Sequence, residues 1–413
     1  MKKANLAITM ICLLSLPLSS FSAFTAADDF REWKGTNGKS IEVVHEETST
    51  ISDSKINEMI ERAKESIFQE KKNKKNSLRA EALDTTYSYI AFEDGVSYVY
   101  EEASSANPEL IIFDSDNQKA EAPSSKQPQL QGIASDFIAD GVGGKQEITQ
   151  SGTYLSTKLT LPQDSMVDKK VAAYNYGGFF YLANTSGAIG SWVADMGLSY
   201  YTNVGKSQTE TGWKPIIIVK QKTSATAWTA YKSDSFDPNY KEGQYRNAYK
   251  SGSDVNLYLW YNYNGKVRMK LDGTTICSER TCTTPGDTKT ITIIESADKL
   301  NIPQISNWKL LSTVVSNDNT GKNRAIYSNI KVDGTPVPNN KFSIPQEDHA
   351  KITRDNNNTV TIDVDSDVYK PLGLDFHSGI VGNSSMSYVT ITLDLISLAF
   401  LTGCHKKPIV TRR

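Results

Sequence analysis

Asp195 is the residue whose surroundings point most directly to chemistry. It stands inside Trp192-Val193-Ala194-Asp195-Met196-Gly197-Leu198-Ser199-Tyr200-Tyr201, an apolar run. An acid there is costly to bury unless it is paired, hydrogen-bonded or working. Three roles suit it: general base, calcium ligand, or organiser of a buried hydrogen-bond network. A glycoside hydrolase needs two carboxylates about 5.5 Å or about 6.5–9.5 Å apart, a spacing of two or four residues along one strand. The residues around Asp195 supply no such partner, so catalysis would require a second acid from another strand.

Aromatic residues are the second candidate. Of 39 Phe, Trp and Tyr, 19 fall between Tyr174 and Tyr263, so half of them occupy about a fifth of the chain. In Leu257-Tyr258-Leu259-Trp260-Tyr261-Asn262-Tyr263 both faces of a strand carry large groups. One face fills a core, and the other, bearing Tyr258 and Trp260, is either covered or presented to a ligand. Tyr and Trp combine a flat apolar face with a polar rim, which suits stacking on sugar rings. The plain alternative is that a large sandwich uses them as core filler.

Other motifs fall short. Asp363-Val364-Asp365-Ser366-Asp367 and Asp114-Ser115-Asp116-Asn117 resemble calcium runs, but Val368 and Leu374 stand where an EF-hand needs its Gly and closing Glu. An acidic strand face is the simpler reading, with calcium the only cofactor in view. Gly141-Val142-Gly143-Gly144-Lys145 lacks the leading Gly of a phosphate loop, and Gln146 replaces the Mg²⁺-binding hydroxyl. His45, His349, His377 and His405 are scattered, so no Ser-His-Asp site has local support.

The elements that must position these residues are mostly strands. Period-two runs cover 153–161, 213–222, 254–263, 266–271, 288–295, 308–316, 325–332, 359–364 and 387–395, and Asn264-Gly265 is the strongest hairpin turn. Asp272-Gly273 and Asp333-Gly334 read as further turns. The pattern predicts a mainly β protein: a large antiparallel jelly-roll sandwich over 132–400, preceded by a small α+β region over 28–117 and a linker over 118–131. In the α+β region, Asp53 is the expected cap of a helix whose stripe is Ile56, Ile60, Ala63 and Ile67. A hairpin follows around Asp94-Gly95. That region is acidic, with 21 Asp/Glu against 13 Lys/Arg over residues 28–128. A sequence pI of about 6.2 gives no basic footprint for nucleic acid.

Lys2, Lys3, the apolar run Leu6 to Leu18 and the small residues up to Ala27 have the order of a secretory signal, so residues 1–27 are expected to be removed and the protein secreted. The run is shorter than the ~20 residues of a membrane-spanning helix. In an oxidising compartment Cys277 and Cys282 suit a disulfide closing a short loop, with free thiols as the alternative. Residues 401–413, with Cys404, read as a loose basic tail.

Gly132-Ile133-Ala134-Ser135-Asp136, Ser151-Gly152-Thr153-Tyr154, Ala173-Tyr174-Asn175-Tyr176-Gly177-Gly178, Ala194-Asp195-Met196-Gly197-Leu198 and Gly212-Trp213-Lys214-Pro215 together resemble the YrpD-type family of exported proteins of bacilli, over about residues 130–340. The resemblance implies a concanavalin-like sandwich and a secreted Gram-positive protein, and it implies no activity. Glucanases of the concanavalin-like class carry several acids on one strand, whereas this chain has Asp195 alone there.

The expectation is therefore a secreted protein whose sandwich binds glycan of a cell wall or environmental polysaccharide. Trp192, Tyr200, Trp213, Tyr258 and Trp260 would line the contact surface, with Asp195 organising it. The rival readings are a polysaccharide hydrolase or lyase using Asp195, and a surface or matrix structural protein.

Overall fold

The structure is a computed structural model. It describes residues 29–34, 40–46, 51–75, 85–93, 96–103, 107–114, 142–168, 172–183, 189–204, 210–224, 227–234, 248–276, 287–316 and 320–369. The expected signal segment, the linker, Cys277 and Cys282, and the run 387–395 with the tail after it lie outside the described residues.

The N-terminal region contributes strands β1 (Asp29–Lys34) and β2 (Ser40–Glu46), helix α1 (Asp53–Lys75), and strands β3 (Thr85–Glu93), β4 (Val96–Glu102) and β5 (Glu109–Asp114). Next come β6 (Val142–Ile148), β7 (Tyr154–Thr160), β8 (Ala172–Tyr181), β9 (Trp192–Val204), β10 (Glu210–Lys222), β11 (Trp228–Asp234) and the short β12 (Ala248–Tyr249). The chain continues with β13 (Asp254–Tyr263), β14 (Lys266–Ile276), β15 (Asp287–Ser296), β16 (Asn307–Val315), β17 (Lys322–Val332) and β18 (Thr335–Pro336). It closes with β19 (Gln346–Asp348), β20 (Ala350–Arg354) and β21 (Val360–Asp365).

The pairings form two runs of neighbouring strands. One reads β1-β2-β5-β4-β3-β15-β14-β13-β7-β17-β21-β20. The other reads β11-β10-β9-β8-β16-β6-β19. Strand β12 pairs with both β10 and β14, so the runs are one sheet folded back on itself. Among the described residues all pairings are antiparallel except β2–β5 and β3–β15. The fold is thus mainly antiparallel β, as the sequence predicts.

Period-two alternation decides which side chains go inside. On β7, Leu155 and Leu159 face the core while Tyr154, Ser156 and Lys158 point out. On β9, Trp192, Ala194, Met196, Leu198 and Tyr200 face inward, which turns Asp195 outward. Side chains of both runs meet in one core, among them Phe179, Trp213, Ile217, Leu257, Met269, Trp308, Leu310 and Tyr327. A second core lies under α1, where Ile56, Met59, Ile60, Ala63 and Ile67 pack on Tyr89, Tyr100, Ile291 and Ile293. A third apolar cluster, Tyr174, Tyr176, Ile216, Ile218, Leu311 and Val315, occupies the outer side of β8, β10 and β16.

The N-terminal region is built into the sandwich. Strand β3 runs parallel to β15 from Thr85–Lys289 to Phe92–Ser296, and Ile90, Phe92, Val99 and Ile111 enter the main core. Two local expectations change. The Ser52 hydroxyl, in place of Asp53, accepts from the Lys55 N–H at 3.3 Å and caps α1. Asp272-Gly273 lies within β14 and makes no turn. A Cβ at Gly273 would sit 3.0 Å from Tyr249 Cδ1, so close packing places the glycine. Asn264-Gly265 does make the β13–β14 turn, with φ of 55° and 93°.

Candidate functional site

The six residues read from the sequence divide among three places. Trp192, Tyr200 and Trp213 are core residues, Trp213 with no exposed surface at all. Tyr200 and Trp213 pack at 5.2 Å between ring centroids, and Trp192 stacks on Tyr231 at 5.9 Å. The Tyr200 hydroxyl donates to Asp164 at 3.1 Å, and burial with that acid beside it pushes the phenol up to about 12. The outer side of this strand run carries apolar residues too, among them Ile216 and Ile218 on β10, so the sequence does not show which face of β9 and β10 is the core.

Tyr258 and Trp260 lie on the outer face of the longer strand run, half-buried. They belong to an aromatic surface wider than the sequence suggests. Trp260 stacks on Tyr154 at 5.7 Å with 26° between planes, and on Tyr258 at 6.1 Å with 19°. Tyr263 meets Trp260 edge-on at 5.7 Å. Register explains the assembly. Trp260 is opposite Tyr154 on β7 and opposite Arg268 on β14, and Tyr258 is opposite Ser156 and Lys270. The Arg268 guanidinium lies 4.3 Å from the Tyr263 centroid, and the Lys270 ammonium lies 4.4 Å from that of Tyr258, both within cation–π range.

Helix α1 borders this surface. Lys270 Nζ is 3.0 Å from Glu70 Oε2, and Arg268 donates to Ser66 Oγ at 3.2 Å. Arg268 also pairs with Glu295 at 3.3 Å, which Lys266, Arg62 and the Tyr89 hydroxyl approach as well. Burial alone would raise the Glu295 carboxyl; the surrounding cations and the tyrosine outweigh it and hold it below the usual range.

Asp195 occupies the outer face of the other strand run. Its Oδ1 is 2.5 Å from Lys309 Nζ, and the lysine side chain is 2% exposed. Laterally, Asp195 is opposite Gly178, Gly178 opposite Lys309, and Lys309 opposite Glu147. Glu147 in turn pairs with Lys145 at 3.1 Å, and both ammonium groups lie over the Phe180 ring at 4.7 and 5.3 Å. Burial lowers the Lys145 ammonium below its usual range despite Glu147. Three strand spacings of about 4.8 Å put the backbones of Asp195 and Glu147 about 14 Å apart, with Lys309 between them. That is not the closely facing carboxylate pair of a glycosidase. The geometry is an alternating row of two ion pairs.

The acidic run 363–367 is spent on internal contacts. Asp365 and Asp367 each lie 3.1 Å from Lys322 Nζ, and Asp363 accepts from the Tyr369 hydroxyl at 2.8 Å. Among the described residues no group of three or more His, Cys, Asp or Glu is placed to hold a metal ion. Gly143 and Lys145 lie in strand β6, so the phosphate-loop likeness has no loop. No helix among the described residues is long and apolar enough to cross a membrane.

Fold and surface together define a mainly antiparallel β protein with a cation-flanked aromatic row on one outer face. The chain belongs to the YrpD family, a domain of unknown function, whose model matches residues 135–364. It is 28% identical over 228 residues to the YrpD protein of Bacillus subtilis (strain 168), covering 53% of this chain and 80% of that one. Among solved structures it is similar to scytalido-glutamic peptidase with a transition-state analog inhibitor, at TM-score 0.30 and 10% identity, over 54% of this chain and 98% of that one. SCP-B, an eqolisin-family peptidase in complex with the tripeptide Ala-Ile-His, gives TM-score 0.29 at 10% identity over the same shares. These two likenesses are too low to specify the fold further, and the concanavalin-like expectation is not established by them.

Proposed function

We propose that this is an exported, non-catalytic glycan-binding protein whose contact surface is the row Tyr154–Trp260–Tyr258, with Tyr263 at its side. The observation that carries the reading is the stacked, half-buried set of rings on the outer face of β7 and β13. Ser156 and Asn256 lie half-buried on the same face, and they place hydrogen-bonding groups beside the rings. Rings with polar neighbours on a rigid sheet match the flat faces and hydroxyl rims of sugars. The signal-like segment through Ala27 supports export and exposure to wall or environmental polysaccharide.

Purified protein incubated with insoluble cell wall and polysaccharides tests the reading. Depletion from solution that Trp260→Ala reduces at least tenfold, without release of reducing ends, is the expected result. No depletion by any glycan sinks it. Release of reducing ends that Asp195→Asn abolishes would replace it with a hydrolase.

A further inference from the structure

The cations beside the aromatic row raise the question of ligand charge. A surface that recruits an acidic polymer leaves its lysines and arginines free to meet the anion, and binding then weakens with salt. Here the two cations closest to the rings are already spoken for. Arg268 is held by Glu295 at 3.3 Å and by Ser66 at 3.2 Å, with Glu70 3.9 Å away. Lys270 is held by Glu70 at 3.0 Å. Glu70 is 8% exposed, so water screens these pairs little and they persist at moderate ionic strength. Farther along the face, Lys158 pairs with Asp254 at 3.0 Å. Lys331, opposite Ser156, is a peripheral charge, and Lys74 of α1 lies near Lys270 and Glu70.

Ser66 and Glu70 come from helix α1, which lies outside the 135–364 span matched by the family model. From outside that span the helix thus supplies the carboxylate that holds Lys270, and a hydroxyl that joins Glu295, itself inside the span, on Arg268. We infer that the aromatic surface takes uncharged polysaccharide, and that helix α1 sets this preference by occupying Lys270 and Arg268 through Glu70 and Ser66. Glu70 is thus a specificity-determining residue that need not touch the ligand. The inference rests on the glycan-binding reading above.

Native gels cast with hydroxyethyl cellulose, an uncharged polymer, or with polygalacturonate, an anionic one, separate the two ideas. The wild-type protein is expected to be retarded by hydroxyethyl cellulose, equally at 20 and 300 mM NaCl, and at least tenfold less by polygalacturonate. Glu70→Gln frees Lys270 and is expected to gain at least tenfold affinity for polygalacturonate at 20 mM NaCl, lost at 300 mM, with hydroxyethyl cellulose affinity kept within threefold. Lys270→Met, which does not depend on Glu70→Gln folding, is expected to leave hydroxyethyl cellulose affinity within threefold. Wild-type preference for polygalacturonate, or a tenfold loss of hydroxyethyl cellulose affinity in Lys270→Met, would overturn the inference while leaving glycan binding intact. Retardation by neither polymer, together with no depletion by any insoluble glycan, removes the glycan reading itself and the inference with it.

Discussion

Lys309 reaches Asp195 over the backbone of Gly178, closing to 2.5 Å between Nζ and Oδ1 across the intervening strand. The glycine makes the crossing possible. A Cβ at position 178 would sit 1.9 Å from the Ala194 carbonyl oxygen and 2.8 Å from Lys309 Cε. The first contact is with backbone and cannot be relieved by a rotamer change. Gly178→Ala is therefore expected to cost at least about 3 kcal/mol, in the range of severe overpacking. Urea unfolding measures it, and a loss under 1 kcal/mol would show that β8 and β9 can separate there without penalty.

The same pair gives Asp195 a structural role that stability can measure. Removing one member of a buried ion pair strands the other, whereas removing both spares that penalty. Lys309 is the more deeply buried, at 2% against 13% for Asp195. Lys309→Met is expected to destabilise by about 2–4 kcal/mol, and Asp195→Asn by a similar amount because it strands the buried ammonium. The double variant should cost at least about 1 kcal/mol less than the two added together. Additive losses would mean that the two groups do not depend on each other in solution.

Much of this architecture is legible in the sequence, and the failures have physical causes. Asn264-Gly265 marks its hairpin because both residues must adopt positive φ. The Ile56, Ile60, Ala63, Ile67 stripe marks α1 because one face is buried against strands. The parallel join of β3 to β15 is invisible because its register partners, such as Thr85 and Lys289, are remote in sequence. The aromatic row was half legible: Tyr258 and Trp260 alternate along one strand, but Tyr154 joins them only through cross-strand register. Lys309 left a usable signal, since Trp308-Lys309-Leu310-Leu311 sets a charge in an apolar run just as Asp195 is set in its own. Two opposite charges so placed are candidates for each other.

Acid should act through Glu295. Its folded carboxyl lies below the usual value of 4.5 because Arg268, Lys266, Tyr89 and Arg62 outweigh burial. A depressed carboxyl stabilises the fold above its unfolded value, and that contribution is lost as pH falls through the folded one. Glu295→Gln removes it at every pH and leaves three cations short of their partner. The variant is expected to be less stable by about 3 kcal/mol at pH 7, with the gap narrowing below pH 4.5. Urea midpoints at pH 7 and pH 3 measure this, and a gap that widens in acid would contradict it.

Alkali should act in the opposite sense through Lys214. The side chain lies on the outer side of β10, with its ammonium 5.0 Å from the Tyr201 centroid and no carboxylate partner among the described residues. Burial pushes it down to about 8 from an ordinary 10.5. Between those values the unfolded chain holds a proton that the folded chain has released, so stability from this group rises with pH across that window. Below pH 8 the fold carries the cost of a half-buried charge, eased by the tyrosine ring. Lys214→Met removes that cost and keeps the aliphatic stem. It is expected to stabilise the protein at pH 7 by about 2 kcal/mol, after allowance for partial solvent screening. The advantage should shrink as pH rises through 8 and be nearly gone by 10.5. Tyrosine ionisation in alkali is common to both proteins and cancels in the difference. Thermal midpoints compared at pH 7, 9 and 10.5 decide the matter: a constant difference would show that the ammonium is solvated in the folded state, and a destabilised variant at pH 7 would show that its contact with Tyr201 outweighs burial.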